Sequence, residues 1–135
     1  MSAGPSGGAW TVANAVLLLA FAASVIVQLN DPDPLGWMAI YGVAAAVCGL
    51  ELKRRTRVWL PALLAAVALA WAATIAPRVL GKVPFGAMFE AFEMKDLAVE
   101  ESREMYGLLL IGVWMAAVSL AAWRRQRRPP PARPA

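Results

Sequence analysis

The sequence QLNDPDPLGW, residues 28–37, joins two long apolar segments and decides how the first half of the chain folds. A proline fixes its own φ and disfavours a helical conformation in the residue before it, so a helix cannot continue through Asp31 and Asp33. Asp33 and Pro34 suit the N-cap and the first position of a following helix. Asn30 tolerates the left-handed conformation that closes many helices. The stretch therefore predicts a rigid turn between two antiparallel helices.

The composition is that of a membrane protein. Of the 135 residues, 60% are hydrophobic and only 16% are charged, and the mean hydropathy is +0.57. Four apolar segments are each long enough to cross a hydrocarbon core of about 30 Å as a helix. They cover approximately residues 10–29, 35–52, 58–76 and 106–123. We therefore expect an all-α membrane protein, a four-transmembrane-helix bundle over residues 10–123, preceded by a flexible N-terminus at residues 1–9.

The distribution of basic residues predicts the orientation. No lysine or arginine precedes the first segment, so we expect that segment to be retained rather than cleaved as a signal peptide. KRRTR (residues 53–57) and the tail RRQRRPPPARPA (residues 124–135) lie on one side of a four-helix bundle, and the net acidic connection at residues 77–105 lies on the other. The positive-inside rule then places both termini in the cytoplasm, in a bacterial inner membrane. We expect the tail to be disordered, and the net charge of +4 to reflect the bilayer surface and not nucleic acid.

Small and aromatic residues predict how the helices pack. Gly42-x-x-x-Ala46, Ala45-x-x-x-Gly49 and Gly112-x-x-x-Ala116 are spacings that let helix backbones approach closely in lipid. We expect them to serve packing within the bundle more than dimerisation. Tryptophans near the segment ends, Trp37 among them, suit the headgroup level, whereas Trp71 and Trp114 lie deeper and suit packing.

The connection before the fourth span contains an amphipathic stretch, PFGAMFEAFEM. Its apolar side chains recur at helical spacing, with Glu90 and Glu93 pointing away from them. This pattern predicts a short amphipathic interfacial helix, with a lid across the bundle as the alternative. The stripe consists of Phe85, Met88, Phe89 and Phe92.

Polar residues on the predicted outer face form the candidate site. The turn does not require Gln28 or Asp31, and the fourth span begins with several glutamates on the same side of the membrane. We call the group the polar cap. It consists of Gln28, Asn30, Asp31, Asp33, Glu100, Glu101, Arg103 and Glu104.

Clustered carboxylates repel one another, so the polar cap requires a cation, a shared proton or an arginine. Oxygen ligands suit Ca²⁺ or Mg²⁺, and the possible ligands are Asp31, Asp33, Glu101 and Glu104. The alternatives are an ion pair with Arg103 or Arg78 and a plain solvated face. No cofactor is predicted otherwise.

Two stretches carry a resemblance to a known family. QLNDPDPLGWMAIYG and VEESREMYGLLLIGVWM resemble the transmembrane protein 220 family in an N-D-P-D turn followed by Trp37 and Tyr41, and in an E-x-x-R-E-x-x-G-L stretch. The matching positions of that second stretch are Glu100, Arg103, Glu104, Gly107 and Leu108. The resemblance extends from about Trp10 to Trp123 and implies a small multi-span membrane protein without an established activity.

Three classes of function remain open on the sequence alone. The first is a non-enzymatic accessory or partner-binding subunit, with a membrane protein as its partner. The second is a membrane-embedded enzyme that acts on lipid through the outer carboxylates; the chain has no histidine and no evident nucleophile–base pair, which disfavours it. The third is a transporter or channel, which the near absence of charge inside the spans disfavours. Uncharged polar residues that interrupt the spans include Asn14, Ser24, Thr74 and Ser119.

Overall fold

The computed structural model describes residues 7–30, 34–80 and 97–128, with only the backbone described at residues 97–100. Within these ranges the chain forms four long helices and no strand. The helices are α1 (Gly7–Val27), α2 (Pro34–Leu52), α3 (Trp59–Val79) and α4 (Leu97–Arg127), and a 3-10 turn (Gln28–Asn30) follows α1. All four are long and apolar enough to cross a membrane, which confirms the predicted four-helix architecture.

Several predictions fall partly or wholly outside the described residues. These are the turn at residues 31–33, the interfacial helix with Phe85, Met88, Phe89 and Phe92, and the last seven residues of the tail. Helix α4 extends to Arg127, so the first part of the segment predicted as a disordered tail is helical.

The four helices form two antiparallel hairpins. Helix α1 packs along α2, and α3 packs along α4; α2 also contacts α3 and α4, and so joins the hairpins. Both the C-terminal end of α4 and the connection between α2 and α3 lie at one end of the bundle, which we call the basic end. The opposite end carries the end of α1, the start of α2 and the start of α4.

Helix α1 lies at the edge of the bundle. Only Asn14 and Phe21 of this helix are buried, whereas Val12, Val16 and Leu19 are more than half exposed. In a bilayer such apolar side chains face lipid without cost, because acyl chains are as apolar as they are. The central core lies instead between α2, α3 and α4, around Val47, Ala68, Leu108, Ile111 and Met115.

The glycines of the predicted small-residue seams are used inside the hairpins. A Cβ added at Gly42 or Gly49 would lie 3.9 or 3.6 Å from side chains of α1, and one added at Gly112 would lie 2.5 Å from Leu69 of α3. These glycines therefore face neighbouring helices of the same chain.

Trp37, which the sequence predicts in a headgroup belt, packs inside the bundle. Its side chain is 8% exposed and stacks on Trp71, with ring centroids 4.2 Å apart. A tryptophan near the end of a span can face the lipid headgroups or pack inside the bundle, and the contact with α3 selects the second for Trp37.

Helix α2 ends in a hydrogen-bonded cap. The amide of Arg55 donates to the carbonyl of Leu50 and that of Arg54 to the carbonyl of Glu51, at 3.0 and 2.9 Å, which is the Schellman arrangement. Arg54 occupies the left-handed position with φ 54°. It is the only non-glycine residue with a positive φ in the described ranges.

The end of α1 differs from the prediction. Asn30 does not have a positive φ, so α1 ends through the 3-10 turn and not through the left-handed closure predicted from the sequence.

Candidate functional site

At the opposite end, the structure describes part of the predicted polar cap. Gln28 is half-buried and Asn30 is exposed. Glu101 forms an ion pair with Arg78 of α3, with 3.0 Å between Nε and Oε2. This is one of the two arginine pairings proposed from the sequence. Asp31, Asp33 and the side chain of Glu100 lie outside the described residues, so the meeting of the two acidic stretches remains a prediction.

The described residues contain no group of three carboxylate, cysteine or histidine side chains placed to hold a metal ion. Because Asp31 and Asp33 are not among them, the Ca²⁺ or Mg²⁺ site also remains a prediction.

Helices α2 and α4 meet at Tyr41, Glu104 and Gly107. A Cβ at position 107 would collide with the phenol oxygen of Tyr41, so a glycine is needed for this close approach. The Glu104 carboxylate lies near enough to interact electrostatically with the same phenol, and Tyr41 packs against Phe21 of α1. Two stretches far apart in the sequence are thereby joined at one contact.

At the basic end, a buried ion pair joins α2 to α4. Glu51, whose side chain is 1% exposed, accepts hydrogen bonds from both terminal nitrogens of Arg125 at 2.6 and 3.2 Å. The indole N–H of Trp10 donates to the same carboxylate at 3.0 Å. The Thr56 hydroxyl is close to this carboxylate but makes no well-formed hydrogen bond. A bidentate arginine–carboxylate pair with a further donor is the arrangement that offsets the cost of burying the charges.

A second polar contact lies one helical turn further along α1. Asn14, fully buried, accepts a hydrogen bond from the indole N–H of Trp114 at 3.1 Å and donates to the carbonyl of Trp10 at 3.0 Å. The Trp10 and Trp114 rings stack with centroids 5.0 Å apart. Helix α1 thus meets α4 through these side chains, although the two helices belong to different hairpins. We call the whole group the polar clasp. It consists of Trp10, Asn14, Glu51, Trp114 and Arg125.

Helical spacing explains the two polar contacts. Trp10 and Asn14 are four residues apart and share a face of α1. Trp114 and Arg125 are eleven residues apart, close to three full turns, and share a face of α4 over about 16 Å. Because α1 runs inward from the basic end and α4 runs outward toward it, the residues pair in order.

The family of the chain follows from a comparison with known proteins. The sequence profile described as "Transmembrane family 220, helix" matches residues 20–120, most of the chain. This protein belongs to transmembrane family 220. The match includes Glu51 and Trp114 but ends before Arg125 and begins after Trp10 and Asn14. The family pattern alone therefore does not delimit the polar clasp. No solved structure matches this family 220 chain.

Sequence reasoning does not single out Glu51. It reads as the end of an apolar run before a basic connection, and the uncharged interruptions of the spans omit it. One signal does point to it: a glutamate in the last turn of a helix is disfavoured by the helix dipole. A cationic partner would offset this effect, and the structure places Arg125 there.

Proposed function

We propose that this protein is a non-enzymatic accessory subunit that binds a partner membrane protein, with the polar cap as its contact surface. The observation that supports this is the state of Glu51. It is the only described carboxylate that is fully buried, and the two side chains that donate hydrogen bonds to it, Trp10 and Arg125, belong to other helices. The buried carboxylate of this family 220 protein thus joins three helices of the bundle, and we assign the partner contacts to the exposed polar groups.

The buried carboxylate at the basic end is not available as a general base for lipid chemistry. A general base needs a free lone pair and access to substrate. Both oxygens of Glu51 accept hydrogen bonds, and its side chain is closed to solvent. The chain also has no histidine to activate a hydroxyl group.

We place the polar cap on the outer face of a bacterial inner membrane, with both termini in the cytoplasm. The argument is the positive-inside rule. The basic end carries Lys53, Arg54, Arg55 and Arg57, and near the end of α4 Arg124, Arg127 and Arg128. The connection leading to α4 is net acidic.

The partner surface is tested by exchanging charges within the Arg78–Glu101 pair. The variant R78E/E101R keeps an ion pair between α3 and α4 but moves both charges on the surface. We expect the unmodified chain to copurify with one membrane protein in fixed ratio from native membranes in mild detergent, and the exchanged variant to lose it while its unfolding midpoint stays the same. The control is R55E at the basic end, which should retain the partner.

Two outcomes contradict the proposal. One is an isolated chain without a partner in every detergent and after cross-linking in the membrane. The other is a partner that copurifies equally with R78E/E101R, which would place the contact elsewhere. Conversion of a defined phospholipid panel by the purified chain would instead favour the enzymatic alternative, and an unfolding midpoint raised by Ca²⁺ or Mg²⁺ and unaffected by these ions in D31N would favour the cation site.

A further inference from the structure

A groove between α3 and α4 opens toward the membrane at the basic end. Its volume is about 390 Å³. Ala62, Ala116 and Leu120 in its wall are exposed at the protein surface. The lining consists of Val58, Ala62, Ala65, Ala116, Ser119, Leu120 and Trp123.

The lining of the groove is mainly apolar. The single hydroxyl in its lining, that of Ser119, already donates to the carbonyl of Val58 at 3.0 Å. The small alanines form its walls, and the half-exposed Trp123 forms its rim. Such a surface fits a hydrocarbon chain better than a polar ligand.

Three arginines are next in sequence to, or one helical turn from, residues that line the groove at its basic end, which we call the mouth. Arg57 directly precedes Val58, and the Arg127 guanidinium lies 5.0 Å from the ring centroid of Trp123. Arg124 follows Leu120 by one turn on the same face of α4. All three arginines are exposed. Glu51 is the only acidic side chain among the residues described at this end, and it already forms an ion pair with Arg125. The mouth therefore has a positive charge that no carboxylate of the described chain offsets.

We propose that the α3–α4 groove binds one acyl chain of an anionic phospholipid, whose phosphate lies between Arg57, Arg124 and Arg127. Hydrocarbon below and cationic guanidinium groups at headgroup level match the two halves of such a lipid. The charge complementarity makes the occupant a lipid, since a second copy of this chain would bring the same positive charges against the mouth. This inference concerns the basic end and does not depend on the partner proposed for the polar cap.

The test is native mass spectrometry of the full chain released from detergent after titration with defined lipids. Phosphatidylglycerol and phosphatidylcholine with identical acyl chains separate headgroup charge from chain contact, and inorganic phosphate tests the headgroup site alone. We expect one tightly bound phosphatidylglycerol per chain, weaker phosphatidylcholine binding, and no adduct with phosphate.

Two pairs of variants locate the site. A62L fills the groove and A70L adds the same bulk at an exposed alanine of α3 that does not line the groove. R57Q/R127Q removes two charges at the mouth, and R55Q/R128Q removes two charges of the same end elsewhere. We expect A62L and R57Q/R127Q to weaken phosphatidylglycerol binding, the latter by roughly fivefold for each arginine, and the two control variants to leave it largely unchanged.

Several results would overturn the proposal. Equal losses in R57Q/R127Q and R55Q/R128Q would mean attraction by net charge without a site. Unchanged binding in A62L would show that the groove does not hold the lipid. Equal affinity for both lipids would show that the arginines do not contribute to binding. A dimer that A62L converts to a monomer would make a second copy of the chain the occupant.

Discussion

At the scale of the residue, Glu51 and Glu101 show how burial changes the contribution of an ion pair to stability. Both are glutamates of transmembrane helices paired with an arginine of another helix. The Glu51 and Arg125 side chains are 1% and 24% exposed, whereas those of Glu101 and Arg78 are 17% and 58% exposed. Desolvation makes the first pair costly to break and solvent makes the second pair weak.

This contrast gives a matched prediction. E51Q leaves Arg125 without its counter-charge and should lower the free energy of unfolding by about 3 kcal/mol, near the lower limit for a broken buried pair because Arg125 is partly exposed. E101Q should cost less than about 1 kcal/mol. The measurement is unfolding by SDS in mixed micelles, followed by tryptophan fluorescence.

The double variant E51Q/R125Q completes the test. Removal of both charges should recover part of the loss, since no uncompensated charge then remains buried. Similar losses in E51Q and E101Q would show that the polar clasp does not stabilise the bundle more than a surface pair does.

At the scale of the element, the contact between α2 and α4 depends on one missing side chain. Gly107 leaves room for the phenol oxygen of Tyr41, and a Cβ there would collide with it. Gly42 differs, because the nearest atom to a Cβ at that position is 3.9 Å away. The two glycines have the same local preference and different tertiary surroundings.

We therefore expect G107A to destabilise the protein by about 1–3 kcal/mol through overpacking. G42A should be neutral or stabilising by up to about 1 kcal/mol, because alanine favours helix more than glycine does. The same SDS unfolding measurement applies.

The background Y41F separates the collision from a general effect of alanine. Without the phenol oxygen, the change G107A should cost clearly less than in the unmodified chain. An equal cost in both backgrounds would place the effect of Gly107 outside the Tyr41 contact.

At the scale of the whole molecule, the topology follows from two helical hairpins, in which successive helices run in opposite directions between the basic end and the opposite end. Gly8 lies at the basic end and Leu80 at the opposite end. Gly8 has open space around a Cβ, and Leu80 is 61% exposed, so both positions accept a cysteine.

We expect a membrane-impermeant maleimide to label L80C in intact spheroplasts and to label G8C only after permeabilisation. The unmodified chain is the control, because its single cysteine, Cys48, is fully buried. Labelling of G8C from outside would reverse the proposed orientation.

The sequence determined the architecture of this protein because the bilayer leaves few choices. An apolar run of about twenty residues must satisfy its backbone hydrogen bonds internally, and so it forms a helix whatever its neighbours are. The four spans could therefore be located from hydropathy along the sequence. For the carboxylates, the sequence left a cation, an ion pair with Arg103 or Arg78 and a plain solvated face open, and the structure shows the pair of Glu101 with Arg78.

Only the tertiary structure decided which polar residues meet. Trp10, Asn14, Glu51 and Arg125 come from three helices, and their meeting depends on how the hairpins rotate and shift against each other. Hydropathy does not encode that rotation, because lipid-facing and core-facing residues in a membrane are equally apolar. For the same reason Trp37 could not be assigned to the core from its position near the end of a span, whereas its stack on Trp71 assigns it there.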